Sequence, residues 1–254
     1  MGMVDTPHVT PHRRTAVRFP RTVALVGIDG SGKTTQAHVL ADQLAAEGLP
    51  ATYRRNAGGR HWFGRLATRL GRIDGDDLLG KRLMLVVESV LRWLAILRTL
   101  LRRSVTGEIA VMDRYAVCQY ASLRARGARP AAEYRARLAY RLFPAPDITF
   151  LLAVDPAVAH DRIDARGYDH EEMSYLRAAA EAYRSLPEYP GFVVVDANGT
   201  PEQVTAAIRA HLPAVDPAAG SARRLPAFAG ARLLAVGQLA AGMTALGYQL
   251  VESF

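Results

Sequence analysis

The eight residues Gly27-Ile28-Asp29-Gly30-Ser31-Gly32-Lys33-Thr34 fit the pattern G-x-x-x-x-G-K-[ST] at every defined position. The chemistry this spacing serves is the holding of a phosphate chain. Gly27, Gly30 and Gly32 let the backbone curl until successive N–H groups converge on phosphate oxygens, and the helix that follows adds its positive N-terminal end. Lys33 is placed to reach β- and γ-phosphates, Thr34 to ligate magnesium, and Ser31 and Thr35 complete the rim. A second constellation, Asp113-Arg114-Tyr115, closes an apolar run. Asp113 there supports Mg2+ through water or positions an acceptor, and Arg114 holds the acceptor's phosphate; the alternative is a strand-end ion pair. Arg162 and Arg166 stand four apart beside Gly167, which suits a lid closing over transferring phosphates, or equally a solvated basic face.

The elements that must position these residues are legible from periodicity. Residues 22–26 form a short β-prone run ending in glycine, and Lys33 to Glu47 carries apolar residues at helical intervals, so the phosphate loop lies between strand and helix. Residues 51–54 read as a second strand, Leu78 to Arg103 as a long helix stopped by Gly107, and Ile109 to Met112 as a buried strand delivering Asp113 and Arg114. A helix is predicted at Ala131 to Leu142, a strand at Ile148 to Val154 ended by Asp155-Pro156, and a helix at Glu171 to Leu186. Phe192 to Val195 is the fifth strand, and Thr200-Pro201-Glu202-Gln203 opens a last helix with cap, proline and acidic first turn in order. Strands alternating with helices imply an α/β fold of the P-loop kind, a five-stranded parallel sheet with helices on both faces.

Composition bounds the partners. The formal charge of +8 over 254 residues favours anionic ligands, although an arginine- and alanine-rich composition also follows from genomic base bias. The single cysteine, Cys118, excludes an internal disulfide framework and a multi-cysteine zinc site, which fits a reducing compartment, the cytoplasm. Residues 1–20 read as a flexible basic leader without a secretory apolar run, 21–212 as the catalytic domain, and 213–227 as a Pro-, Ala- and Gly-rich linker. Residues 228–254 are apolar and expected to form an extra helix, packed on the domain or in a contact between copies of the chain as in a homodimer; a membrane-lying segment is the alternative. The stretch Leu83 to Leu101 carries Glu88, Arg92 and Arg98, which argues for a buried helix over a membrane span. No nucleic-acid partner is expected.

From Thr22 to Leu212 the order of motifs resembles thymidylate kinase, of the nucleoside monophosphate kinase group. The resemblance rests on the loop 27–35 with its carboxylate Asp29, on Asp113-Arg114-Tyr115, on the strand and helix 151–166 leading to the arginines, and on Val195-Asp196-Ala197-Asn198. It implies ATP with Mg2+ as donor and a nucleoside monophosphate as acceptor. It also implies Asp29 at the acceptor sugar, Arg114 at the acceptor phosphate, Gln119 at the acceptor, and Asn198 beside the adenine. In that family a long-helix aromatic stacks on thymine four residues before an arginine; with Arg92 as the arginine, the stacking position holds Glu88. The aromatic that crowds a 2′-hydroxyl is replaced by Ser122, and Arg55-Asn56-Ala57-Gly58-Gly59 lacks a carboxylate of the family run. These departures predict an amino-bearing ring preferred over thymine, and tolerance of ribose. The alternatives are a kinase for a modified nucleotide or hydroxyl-bearing metabolite, with Asp29 or Asp113 as base, and a regulatory P-loop protein that binds nucleotide without fast turnover.

Overall fold

A computed structural model describes residues 19–56, 58, 66–69, 71, 80–167 and 171–214. Five strands, β1 (Thr22–Val26), β2 (Ala51–Arg55), β3 (Ile109–Asp113), β4 (Ile148–Ala153) and β5 (Val193–Asp196), form one sheet in the order β2-β3-β1-β4-β5, with every pair parallel. The helices are α1 (Lys33–Ala46), α2 (Lys81–Thr106), α3 (Ala116–Ala125), α4 (Pro130–Tyr140), α5 (Pro156–Asp164), α6 (Met173–Ser185) and α7 (Pro201–Ala210). The chain begins at the sheet's centre, builds outward to one side, and returns to build the other. Strand order therefore reverses at β1, and ligands of such sheets sit at the carboxyl ends of the strands beside that reversal.

β1 and β3 are buried along their whole length because helices cover both faces, which is why they read as unbroken apolar runs. Ala37, Leu40, Ala41 and Leu44 of α1 close over them, each large side chain contributing about 1.5–3 kcal/mol by leaving water. Asp155 caps α5 by accepting the Ala157 N–H at 2.8 Å, and Thr200 with Gln203 forms the capping box of α7. Gly107, in the left-handed region, ends α2.

Two differences from the sequence reading are physical. α3 has no predicted counterpart, because all residues from Ala116 to Leu123 are buried and a helix wrapped on every side shows no polar stripe. Its far end is tied to α4 by Arg124, whose Nε and Nη2 donate to Glu133 at 2.7 and 2.9 Å. The second difference is α2, expected as a buried apolar helix, whose buried face carries polar residues beside Met84 and Ile96 and whose other face exposes an apolar stripe. Glu88, Arg92 and Thr99 face inward, while Leu83, Val86, Val90, Leu94, Leu101 and Val105 are exposed. Among the described residues no helix is long and apolar enough to cross a membrane. Residues 1–18 of the leader, the linker beyond residue 214 and the extension 228–254 lie outside the described residues.

Candidate functional site: a phosphate cradle and an acceptor pocket

β1 ends at Val26 and α1 starts at Lys33, so residues 27–32 form the loop between them at the carboxyl edge of the sheet. Its shape depends on glycine. Gly30 has φ +79°, and a Cβ there would run into the Ala159 backbone; Gly27 has φ +145°, and its Cβ would meet the Leu152 carbonyl at 2.7 Å. Lys33 is almost fully buried and folds back over the loop, donating to the Ile28 carbonyl at 2.5 Å with Asp29 at 3.7 Å. Burial, and then the charge of Arg114, lower its pKa.

Asp113, at the end of β3, accepts the Thr34 hydroxyl at 2.6 Å and the Tyr53 hydroxyl at 3.2 Å, both on Oδ2. Its Oδ1 is buried without a hydrogen-bond partner. A hydroxyl and a carboxylate with a spare buried oxygen form a hard-oxygen set that fits Mg2+, and Thr34 and Asp113 are the residues that would hold it. Among the described residues no three His, Cys, Asp or Glu side chains cluster, so the remaining ligands would come from phosphate and water, as magnesium prefers.

Arg114 is the single non-glycine at positive φ among the described residues, at 77°. Such a conformation costs on the order of 1–3 kcal/mol and needs surroundings that impose it. Leu25 O accepts its N–H at 3.0 Å, and the Asn56 amide donates to its carbonyl at 2.9 Å. Asn56 is itself fixed, accepting the Thr99 hydroxyl at 3.1 Å and donating its N–H to Asp113 O at 3.0 Å. The position where a carboxylate is missing thus carries an amide that shapes the turn at Arg114. So held, the guanidinium pairs with Asp29. Burial raises the Asp29 pKa, but Arg114 and Lys33 outweigh it and hold the carboxyl well below the usual range. Burial would lower Arg114, and Asp29 and Asp113 instead raise it well above the ordinary value.

Deeper in lie Glu88 and Arg92 from α2 and Gln119 from α3, all buried. Arg92 donates to Glu88 at 2.7 Å and to Gln119 Oε1 at 2.5 Å. Since a guanidinium only donates, this second bond fixes the amide, and Gln119 Nε2 is left as a buried donor without a partner, as is Arg92 Nε. Gly58 packs on Glu88 so closely that a Cβ would enter its side chain. Ser122 is buried against Tyr175 of α6, whose phenol is raised by burial and then by nearby Asp29. The Arg126 guanidinium lies over the Tyr175 ring, 4.4 Å from its centre.

The two lid candidates part company. Arg162 donates to the Ala197 carbonyl at 2.8 Å and to those of Asn198 and Gly199 at 3.1 Å each. Arg166 is exposed. Asn198 accepts the Asp155 N–H at 2.8 Å through its side chain, which ties the loop after β5 to the start of α5.

The family model for thymidylate kinase matches residues 25–208. The chain belongs to the thymidylate kinase family. Among curated proteins it is 30% identical over 187 residues to a probable thymidylate kinase of Pyrobaculum aerophilum, covering 72% of this chain and 92% of that one. It is 31% identical over 199 residues to the thymidylate kinase of Thiobacillus denitrificans, covering 73% and 93%, and 30% identical over 210 residues to that of Bordetella petrii, covering 77% and 96%. As a member of the thymidylate kinase family the chain is an ATP-dependent phosphotransferase of the nucleoside monophosphate kinase type.

The structure brings Asp29, Lys33, Thr34, Asp113 and Arg114 together, and Glu88, Arg92 and Gln119 into one cluster. Tyr53, Asn56 and Tyr175 are not singled out by the sequence alone. Tyr53 is recognisable only once strand pairing sets it opposite Val111, two residues before Asp113. Asn56 follows directly on the end of β2 and entered the sequence reading only within a run that lacks a carboxylate. Tyr175 comes from α6, remote in sequence from Ser122 and Arg126.

Proposed function

We propose that this chain transfers the γ-phosphate of MgATP to a pyrimidine nucleoside monophosphate, with the residues above in distinct roles. The observation that carries it is the convergence of Lys33, the Thr34–Asp113 pair and the Arg114–Asp29 pair on one point at the carboxyl edge of β1 and β3. The residues 27–35, including Ser31, Gly32 and Thr35, cradle the donor phosphates. Lys33 neutralises charge on the transferring group, Arg114 holds the acceptor phosphate, and Asp29 keeps Arg114 aimed while facing the acceptor sugar. Mg2+, when bound through Thr34 and Asp113, supplies charge neutralisation across the donor phosphates. An acceptor that is already an anion needs alignment and not a strong base, which agrees with a site whose carboxylate and guanidinium stay charged. Arg166, exposed at the end of α5, is the lid arginine of this scheme.

The acceptor ring is read by Arg92 and Gln119. The expectation that Glu88 would favour an amino-bearing ring changes with its partner: Glu88 is engaged by Arg92, while Gln119 Nε2 and Arg92 Nε are buried donors without a hydrogen bond. Leaving two such donors buried costs about 1–3 kcal/mol each, and a ring carbonyl relieves it. Thymine and uracil, with two carbonyls, suit this better than cytosine or adenine. With Ser122 in place of an aromatic, a 2′-hydroxyl is accommodated. ADP release measured with thymidine, deoxyuridine, uridine, cytidine and adenosine monophosphates tests this, together with Gln119→Ala. Imide monophosphates should lead, uridine and deoxyuridine monophosphates should lie within about tenfold of one another, and Gln119→Ala should narrow the lead over cytidine monophosphate. Preference for an amino-bearing base contradicts this reading of the pocket, and ADP release with none of them points to a non-nucleotide acceptor.

The exposed apolar face of α2 supports a homodimer as part of the same reading. It runs the length of a 26-residue helix, about 39 Å, and two copies laid face to face would cover both stripes by the same contact.

A further inference from the structure

We infer that Tyr53 is a positioning residue for the carboxylate of Asp113, and that His38 holds Tyr53 to that task. The inference rests on the reading above in which Thr34 and Asp113 hold Mg2+, and it concerns what keeps that pair aimed. Tyr53 lies on β2 opposite Val111 of β3, and Asp113 stands two residues beyond Val111. Side chains at paired positions share a face of the sheet, as do those two apart along a strand, so Tyr53 and Asp113 look the same way. Thr34 and His38 of α1, one helical turn apart and both exposed, meet that face at two points. The Thr34 hydroxyl donates to Asp113 Oδ2 at 2.6 Å, and the His38 ring lies on that of Tyr53, with centres 3.6 Å and planes 22° apart. Tyr53 closes the figure by donating its hydroxyl to the same Oδ2 at 3.2 Å.

The two donors on Oδ2 have different duties. The Thr34 hydroxyl spends its proton on Asp113 and keeps its oxygen lone pairs for the cation. A carboxylate held by that donor alone still turns about its Cβ–Cγ bond and can exchange its two oxygens. A second donor on Oδ2, arriving from β2, fixes the plane and leaves Oδ1, buried without a hydrogen-bond partner, as the oxygen for the metal or a metal-bound water. Packing alone does not call for this hydroxyl. Tyr53 is half-buried on an edge strand, where a phenylalanine ring would cover the same surface and lie against His38 equally well. What tyrosine adds is a donor that reaches Asp113. His38 is exposed, and its ring, nearly parallel to that of Tyr53, bars the swing that would carry the hydroxyl off to water.

Calorimetric titration of ADP onto wild type, Tyr53→Phe, His38→Ala and His38→Phe, each in Mg2+ and in EDTA, tests it, with the melting temperature of every protein alongside. The quantity read is the gain in ADP affinity on adding Mg2+. Tyr53→Phe should cut that gain by about tenfold, the lower end of what losing a partner of a metal ligand costs, while its affinity in EDTA stays within about twofold of wild type. His38→Ala should cut it by about threefold, and His38→Phe, which keeps a ring against Tyr53, should restore it. A Tyr53→Phe protein that keeps the whole Mg2+ gain overturns the inference even if it melts lower, because Tyr53 is then structural only. Equal losses in Mg2+ and in EDTA overturn it too, since the defect then lies in the phosphate loop and not at the metal. If Tyr53→Phe does not fold, His38→Ala, a change at an exposed position, carries the same test. Failure of the metal reading looks different: wild type itself would bind ADP no tighter in Mg2+ than in EDTA, and this inference would fall with it.

Discussion

Arg114 owes its reach to Asn56. A left-handed arginine at the end of a strand is held there by the Leu25 carbonyl and the Asn56 amide, and Asn56→Ala removes the second of these bonds and leaves the Thr99 hydroxyl without its acceptor. Stability should drop by about 1–3 kcal/mol, and kcat/KM for the acceptor should drop more than kcat/KM for ATP if Arg114 serves the acceptor phosphate as proposed. Denaturant melts and the two kinetic ratios decide it; equal losses would mean that Asn56 is structural only. The same residues set the pH response. Asp29 is depressed in the folded protein, so its contribution to stability is present above its unfolded pKa and is lost only as pH falls through the lower folded value. Arg114 is raised and stays charged. Neither titrates near neutrality, and in the proposed scheme the group that limits turnover is Lys33, lowered by burial and by Arg114. A kcat profile should therefore stay level from about pH 7, above the second ionisation of an acceptor phosphate near pH 6, and decline on the alkaline side as Lys33 loses its proton. An optimum confined to the acid side would contradict that assignment. At this scale the phosphate loop and the Asp-Arg pair were legible because their types and spacing are dictated by what they touch. Asn56 and Tyr175 were not, since each works through a partner far away in sequence.

Elements place those residues, and their legibility followed from how they meet solvent. β1, β3 and α1 read correctly because burial on both faces, or on one stripe, leaves a periodic trace. α3 left none, being buried all round, and α2 left a misleading one, because Glu88 and Arg92 look inward beside Met84 and Ile96 while a stripe of apolar residues looks out. The junction of elements is tested by Gly30→Ala, which at φ +79° and against the Ala159 backbone has no room for a methyl group. That variant should lose at least about 1 kcal/mol of stability and most of its nucleotide affinity, because the loop must swing off α5 to fit. Melting temperature and MgADP titration check it, and a stable variant with wild-type affinity would show that the loop tolerates a different path.

At the scale of the whole molecule, the proposed scheme has the sheet bring a donor in on one side of β1 and an acceptor on the other, with α2 serving two surfaces at once. If its outer face pairs with a second copy, sedimentation will give twice the chain mass, and Val90→Asp with Leu94→Asp will give the monomer; a wild-type monomer at micromolar concentration would sink that proposal. The charge balance of +8 suits anionic substrates on both sides of the site. The most direct test of the account is the product formed from ATP, Mg2+ and an imide nucleoside monophosphate by wild type and by Lys33→Ala. Wild type should convert the pair to ADP and the nucleoside diphosphate in equal amounts, and folded Lys33→Ala should do so at least about a hundredfold more slowly, the scale of losing one charge-stabilising donor in a buried site. A folded Lys33→Ala protein that turns over at the wild-type rate, or wild type that splits ATP without making the diphosphate, would contradict it.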